Sequence, residues 1–198
     1  MKYFTEFWPS DNTDPIERLF IQWGFSQVFP AKTMCAHVTT WNKNSSVKFR
    51  TDVAMMCKLG FDIKLADMSK DDETYCRTAV QNYNRLKPVV LEGDMYRLVS
   101  PYGSNHTSTM YVGKDKDKAA VFAFDIHPRY AEKILPVRLQ GLDADKMYRV
   151  KEINLMPGAN SSLSGNGEVF SGEFLMNVGL NLFTAQQLNS RVIEVVAE

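Results

Sequence analysis

A chain of 198 residues with 23 basic and 23 acidic side chains has no net formal charge, so neither nucleic acid nor an anionic membrane surface is an expected partner. Hydrophobic residues at 44% suffice for one large core or two small ones, and Cys35, Cys57 and Cys76 lack the spacing of a disulfide framework or a structural zinc site. No apolar run is long enough to span a bilayer and no basic-then-apolar leader is present, which leaves the compartment open between cytoplasmic and exported.

Residues 3–8 form an aromatic-rich, strand-like run ending at Trp8. Asp14-Pro15-Ile16-Glu17 reads as a helix start, with Asp as cap, Pro at the first helical position and an acid at the third. Ile16, Leu19, Phe20 and Trp23 follow at helical spacing, and Gly24 loosens or ends the helix. Residues 33–40 are a second candidate strand, followed by a polar loop over 41–46. Residues 53–59 read as a helix that Gly60 stops before a third strand over 61–65. Ser69-x-x-Asp72 then opens a long helix with Tyr75, Ala79, Val80, Tyr83 and Leu86 on one face, closed by Lys87-Pro88. Such a succession of βα units builds a parallel sheet.

Beyond Pro88 the pattern changes to period-two runs and turns. Strands are expected over 89–91, 95–99, 108–112, 119–125, 134–139, 147–153, 173–176 and 192–196, with a charged hairpin tip at 113–118 and a loop over 158–167. About eight strands so spaced suggest an antiparallel sandwich.

Chemistry concentrates at Ser10-Asp11-Asn12-Thr13-Asp14-Pro15, a strand end, a loop carboxylate and a helix start in six residues. Asp14 is accounted for as a cap. Asp11 has no such duty and can face the C-terminal mouth of a parallel barrel, where such folds hold their chemistry. Trp8 lines a ligand pocket or packs a barrel interior. His37 reads as a buried strand histidine, whereas His106 and His127 lie near loops with no evident partner. Arg50 and Asp52 form a mouth-region ion pair or contact substrate. Asn44-Ser45-Ser46, Asn105-His106-Thr107 and Asn160-Ser161-Ser162 match the glycosylation sequon.

The stretch from Trp8 to Leu19, continuing through Ile21-Gln22-Trp23-Gly24-Phe25-Ser26, resembles α-galactosidases of glycoside hydrolase family 36. That family carries Trp-x-Ser-Asp-Asn/Asp-Thr-Asp, then Glu-Arg and Ile-Gln-Tyr-Gly-x-Ser. The likeness continues in Pro30, Met34, His37-Val38, Arg50, Val53-Ala54 and Leu59-Gly60-Phe61-Asp62-Ile63, and resumes over Gly172-Glu173-Phe174-Leu175-Met176. Pro9 and Trp23 depart from the usual small residue and Tyr.

The resemblance implies that residues 1–88 are the last three βα units of a TIM (β/α)8 barrel and that residues 89–198 are an antiparallel β-sandwich. It also implies that Asp11 is the general acid/base, with Trp8, Ser10 and Asn12 as substrate-pocket candidates. The family nucleophile lies in a Lys-Trp-Asp-Met-Asn-Arg-type motif, which these 198 residues lack, as they lack the Cys-Ser-Gly-Gly-Gly-type substrate loop. The expected activity is therefore that of a longer retaining α-galactosidase cleaving terminal α-D-galactosyl residues from melibiose- or raffinose-type oligosaccharides, the present chain alone being inactive. No cofactor or metal is implied, and homo-oligomers are common in the family. The competing expectation is a non-catalytic carbohydrate-binding or structural β-sandwich module with a partial barrel. An open sheet edge further predicts self-association, or weaker protection in the first half.

Overall fold

The computed structural model describes residues 4–41 and 44–198; Tyr3, in the first expected strand, and Asn42 and Lys43, in the polar loop, lie outside this description. Helix α1 spans Pro15–Phe25 and begins as expected, with the Asp14 carboxylate accepting from the amides of Ile16 and Glu17. Gly24 sits inside its last turn. Its most buried positions are Pro15, Arg18, Leu19 and Gln22, so the inward face carries two polar side chains beside the apolar ones, while Ile16 and Phe20 pack at its flank.

Strand β1 (Cys35–Thr39) pairs in parallel with β2 (Lys58–Asp62), in the register Cys35 to Lys58, His37 to Gly60 and Thr39 to Asp62. Of the first expected strand, one parallel bridge joins Phe7 to Met34. Between β1 and β2 lies α2 (Val47–Ala54), capped by Ser46, which accepts from the Phe49 amide. The expected helix over 53–59 is therefore misplaced: the helix comes earlier, and Gly60 lies within a strand. The apolar run Val53-Ala54-Met55-Met56-Cys57 is buried as helix end and turn, so its hydrophobicity did not report helical period.

Helix α3 (Lys70–Glu92) opens at Ser69, which accepts from the Asp72 amide. It does not close at Pro88 but runs through it to Glu92, so residues 89–91 are helical rather than a strand. Val89, Val90 and Leu91 bury in the core formed with α1, α2 and the sheet, and that burial outweighs the local cost of proline. Val80, expected on the buried face, is exposed. Gly93 ends the helix where a Cβ would lie 2.4 Å from the Val89 carbonyl and 2.5 Å from that of Val112, a close approach only glycine permits.

Strands β3 (Asp94–Val99), β4 (His106–Val112), β5 (Lys118–Asp125), β6 (Met147–Ile153), β7 (Val169–Ser171) and β8 (Asn189–Ala197) form one antiparallel sheet in the order β3-β4-β5-β8-β6-β7. The charged hairpin over 113–118 joins β4 to β5. Ala120, Phe122, Phe124 and Val192 face the helices and share one continuous core with Phe49, Tyr75 and Leu86. Val121, Ala123, Ile193 and Val195 face a second core, covered by Val137, Leu139, Leu175, Leu180 and Leu182.

The expected strand over 134–139 is reduced to an antiparallel bridge between Val137 and Leu180. Residues 173–176 belong to α4 (Gly172–Asn177), because Ser171 caps a helix there by accepting from the Phe174 amide. The layer over this face of the sheet is thus coil, one bridge and a short helix, and the antiparallel sheet has six strands rather than eight.

Candidate active site

Side chains alternate along a strand, so the two faces of the β1–β2 pair have different fates. Ala36, Val38, Leu59 and Phe61 turn toward the helices, where Phe7 joins Phe25 and Phe29. The other face stacks in tiers. Glu6 accepts from the Lys58 ammonium (2.5 Å) and the Cys35 thiol (3.8 Å), and Lys58 holds the Glu6 carboxyl below its ordinary range. In the next tier the Trp8 and His37 rings lie 4.4 Å apart, centroid to centroid, over Gly60. A Cβ on Gly60 would sit 2.4 Å from His37 Cδ2, so the glycine provides the room for the imidazole.

Above these tiers, at the C-terminal strand ends, Trp8, Asp11, Thr13, His37, Thr39, Trp41 and Asp62 line an open cleft of about 450 Å³. The mouth of a parallel α/β barrel gathers its chemistry at this end. Asp11 is exposed, and its Oδ1 accepts from the Trp8 indole N–H at 3.1 Å. Ser10 Oγ accepts from the Asn12 amide and Asn12 Oδ1 from the Asp14 amide, so both side chains hold the loop in its turn. Asp62 is exposed and has no side-chain partner among the described residues.

Arg18, buried under the loop, donates to the carbonyls of Ser10 and Cys35 at 3.0 Å each, and its guanidinium carbon lies 4.8 Å from the centre of the Trp8 ring. Burial pulls this guanidinium below its ordinary pKa.

Of the residues singled out in the sequence, Trp8, Ser10, Asp11 and Asn12 share one loop, and Trp8 and Asp11 reach the cleft. His37 is exposed on the cleft side instead of buried. Arg50 and Asp52 do not pair. Arg50 donates to the Thr39 carbonyl. Asp52 is fully buried and accepts from Lys48, Tyr75, Asn154 and Ser190. His106 has a partner after all, Asp125 at 2.7 Å, and His127 contacts Gln187 at 2.9 Å, both away from the cleft. The Asn105 sequon side chain is committed to Glu132. Thr39, Trp41 and Asp62 went unnoticed as cleft residues; an acid at the end of a strand was the available signal, hidden by the misplaced helix.

Residues 1–93 match the melibiase family, and residues 106–195 match the glycosyl hydrolase family 36 C-terminal domain. The chain belongs to glycoside hydrolase family 36. Among its relatives, α-galactosidase 2 of Hypocrea jecorina is 34% identical over 98% of this chain, and a probable α-galactosidase G of Aspergillus terreus is 32% identical over the same share. The crystal structure of a family 36 α-galactosidase from Geobacillus stearothermophilus superposes with a TM-score of 0.86 over 99% of this chain at 28% identity, covering 26% of that protein. A second Geobacillus stearothermophilus α-galactosidase, solved with raffinose, superposes at 0.82 over 96% of this chain and 25% of that protein, with 27% identity. The family 36 chain spans about a quarter of the length of the curated relatives it matches.

Proposed function

We propose that this chain is the part of a retaining α-galactosidase that supplies the general acid/base, Asp11, for hydrolysis of terminal α-D-galactosyl residues in raffinose-type oligosaccharides. The observation that carries this reading is an exposed carboxylate, held on a strand-to-helix loop, facing a cleft at the C-terminal ends of parallel strands. Residues 1–93 correspond to barrel βα units, and the six-stranded sheet packs behind them.

In the first step a carboxylate outside these 198 residues attacks the anomeric carbon. The glycosidic C–O bond breaks, and the proton of Asp11 passes to the departing oxygen. In the second step water attacks the same carbon while the Asp11 carboxylate takes its proton, and the ester bond to the nucleophile breaks. The configuration is retained because displacement occurs twice, between carboxyl groups about 5–5.5 Å apart. In the same cleft as Asp11, the Trp41 ring and the Asp62 carboxylate are suited to an apolar sugar face and to sugar hydroxyls.

In the full-length enzyme, Asp11→Ala is expected to cost about 10²–10⁴ in kcat/KM on raffinose. Azide should restore turnover of activated aryl α-galactosides and yield the α-galactosyl azide, because the small anion replaces the water that needs a base. Wild-type raffinose turnover by Asp11→Ala would overturn the assignment. Hydrolysis of nitrophenyl α-galactoside by the 198-residue chain alone would overturn the external nucleophile.

A further inference from the structure

We propose that Trp8 is a positioning residue for Asp11, fixing which carboxylate oxygen carries the proton, and that Arg18, His37 and Gly60 hold Trp8 to that task. The inference rests on Asp11 being the acid/base. An indole N–H only donates, so the oxygen facing it must accept. Trp8 Nε1 lies 3.1 Å from Asp11 Oδ1. In the protonated acid Oδ1 is then the carbonyl-like oxygen and the proton sits on Oδ2, from which it passes to the leaving oxygen. When Asp11 is ionised, Oδ2 is again the oxygen that takes the proton from water, while Oδ1 stays engaged.

The indole is itself placed by its surroundings. The Arg18 guanidinium, 4.8 Å from the ring centre, is anchored by hydrogen bonds to two main-chain carbonyls, one in the Asp11 loop and one on β1. Arg18 is 3% exposed, so this anchor is shielded from water and holds loop, strand and indole in one geometry. The His37 ring packs 4.4 Å from Trp8 and occupies the space that any β2 side chain at position 60 would need. A line of contacts therefore runs from Gly60 through His37 and Trp8 to the carboxylate.

The test uses the full-length enzyme and aryl α-galactosides whose leaving phenols range from acidic to weakly acidic. A misaimed acid harms only substrates that need the proton. Trp8→Phe keeps the ring and removes the N–H; its kcat/KM is expected to fall about tenfold for the poorest leaving group and by less than about twofold for the best, a fraction of the 10²–10⁴ a positioned acid contributes. Gly60→Ala, which removes no chemical group, should show the same leaving-group signature and carries the test if Trp8→Phe does not fold. Equal losses across the series, or none, would overturn the positioning role while a steep Asp11→Ala series leaves the acid/base reading intact. A flat Asp11→Ala series would overturn both.

Discussion

Asp62 ends β2 on the cleft side with an exposed carboxylate that has no side-chain partner among the described residues, and that position suits a hydroxyl acceptor rather than a proton carrier. Asp62→Asn in the full-length enzyme is expected to raise KM for raffinose about tenfold, the equivalent of about 1.4 kcal/mol, with kcat changed less. Loss of kcat at unchanged KM would instead make Asp62 an essential carboxylate. The thiols give a second check on residue environments. Burial pushes the Cys57 thiol up to about 12 and the Cys76 thiol up to about 11, and burial again raises Cys35, where Glu6 adds to the effect. All three stay protonated at neutral pH, and the thiolate is the reactive form. Iodoacetamide at pH 7.5 should therefore label the native chain slowly and the unfolded chain fast; rapid native labelling at Cys57 would contradict its burial. Asp14 was legible from sequence because a cap is bonded to residues two and three positions away. Asp62 was not, since only the register of β1 against β2 brings it to the cleft.

Elements of the first half are joined to the antiparallel sheet through a buried polar knot. Asp52 on α2 accepts from Tyr75 on α3 at 2.9 Å, from Asn154 beyond β6 at 2.6 Å and from Ser190 on β8 at 2.7 Å, and Lys48 supplies the compensating charge. Burial beside this carboxylate drives the Tyr75 hydroxyl well above its ordinary pKa, so it remains a donor. Asp52→Ala is expected to destabilise the chain by about 3 kcal/mol, because it strands a half-buried cation and three donors. Ser190→Ala removes one charge-assisted bond and should cost about 1–3 kcal/mol. Urea denaturation measures both, and a loss below about 1 kcal/mol for Asp52→Ala would show that the knot is dispensable. No part of this was readable in the sequence, where Asp52 and Ser190 stand 138 positions apart. The long helix was readable at its capped start but not at its end, since Pro88 is a local stop signal and the burial of Val89 to Leu91 is a tertiary fact.

At the scale of the whole molecule, protection should follow which strands have neighbours on both sides. β5 lies between β4 and β8, and β8 between β5 and β6, with nearly every residue buried against one of two cores. β2 pairs only with β1 among the described residues, and its positions from Lys58 to Phe61 are no more than half-buried, with Asp62 exposed. Its outer edge presents amides and carbonyls that another strand can take up. For the 198-residue chain, hydrogen exchange is therefore expected to be slowest in β5 and β8 and faster by orders of magnitude in β2. Sedimentation should show self-association that grows with concentration. The shared core limits the contrast: Phe49, Tyr75 and Leu86 pack with Phe122 and Phe124, so α2 and α3 should exchange with the sheet rather than with β2. Uniformly slow exchange in a strict monomer would mean that the β1–β2 face needs no further strands to be stable. Fast exchange throughout α2 and α3 would mean that the common core does not fold as one unit.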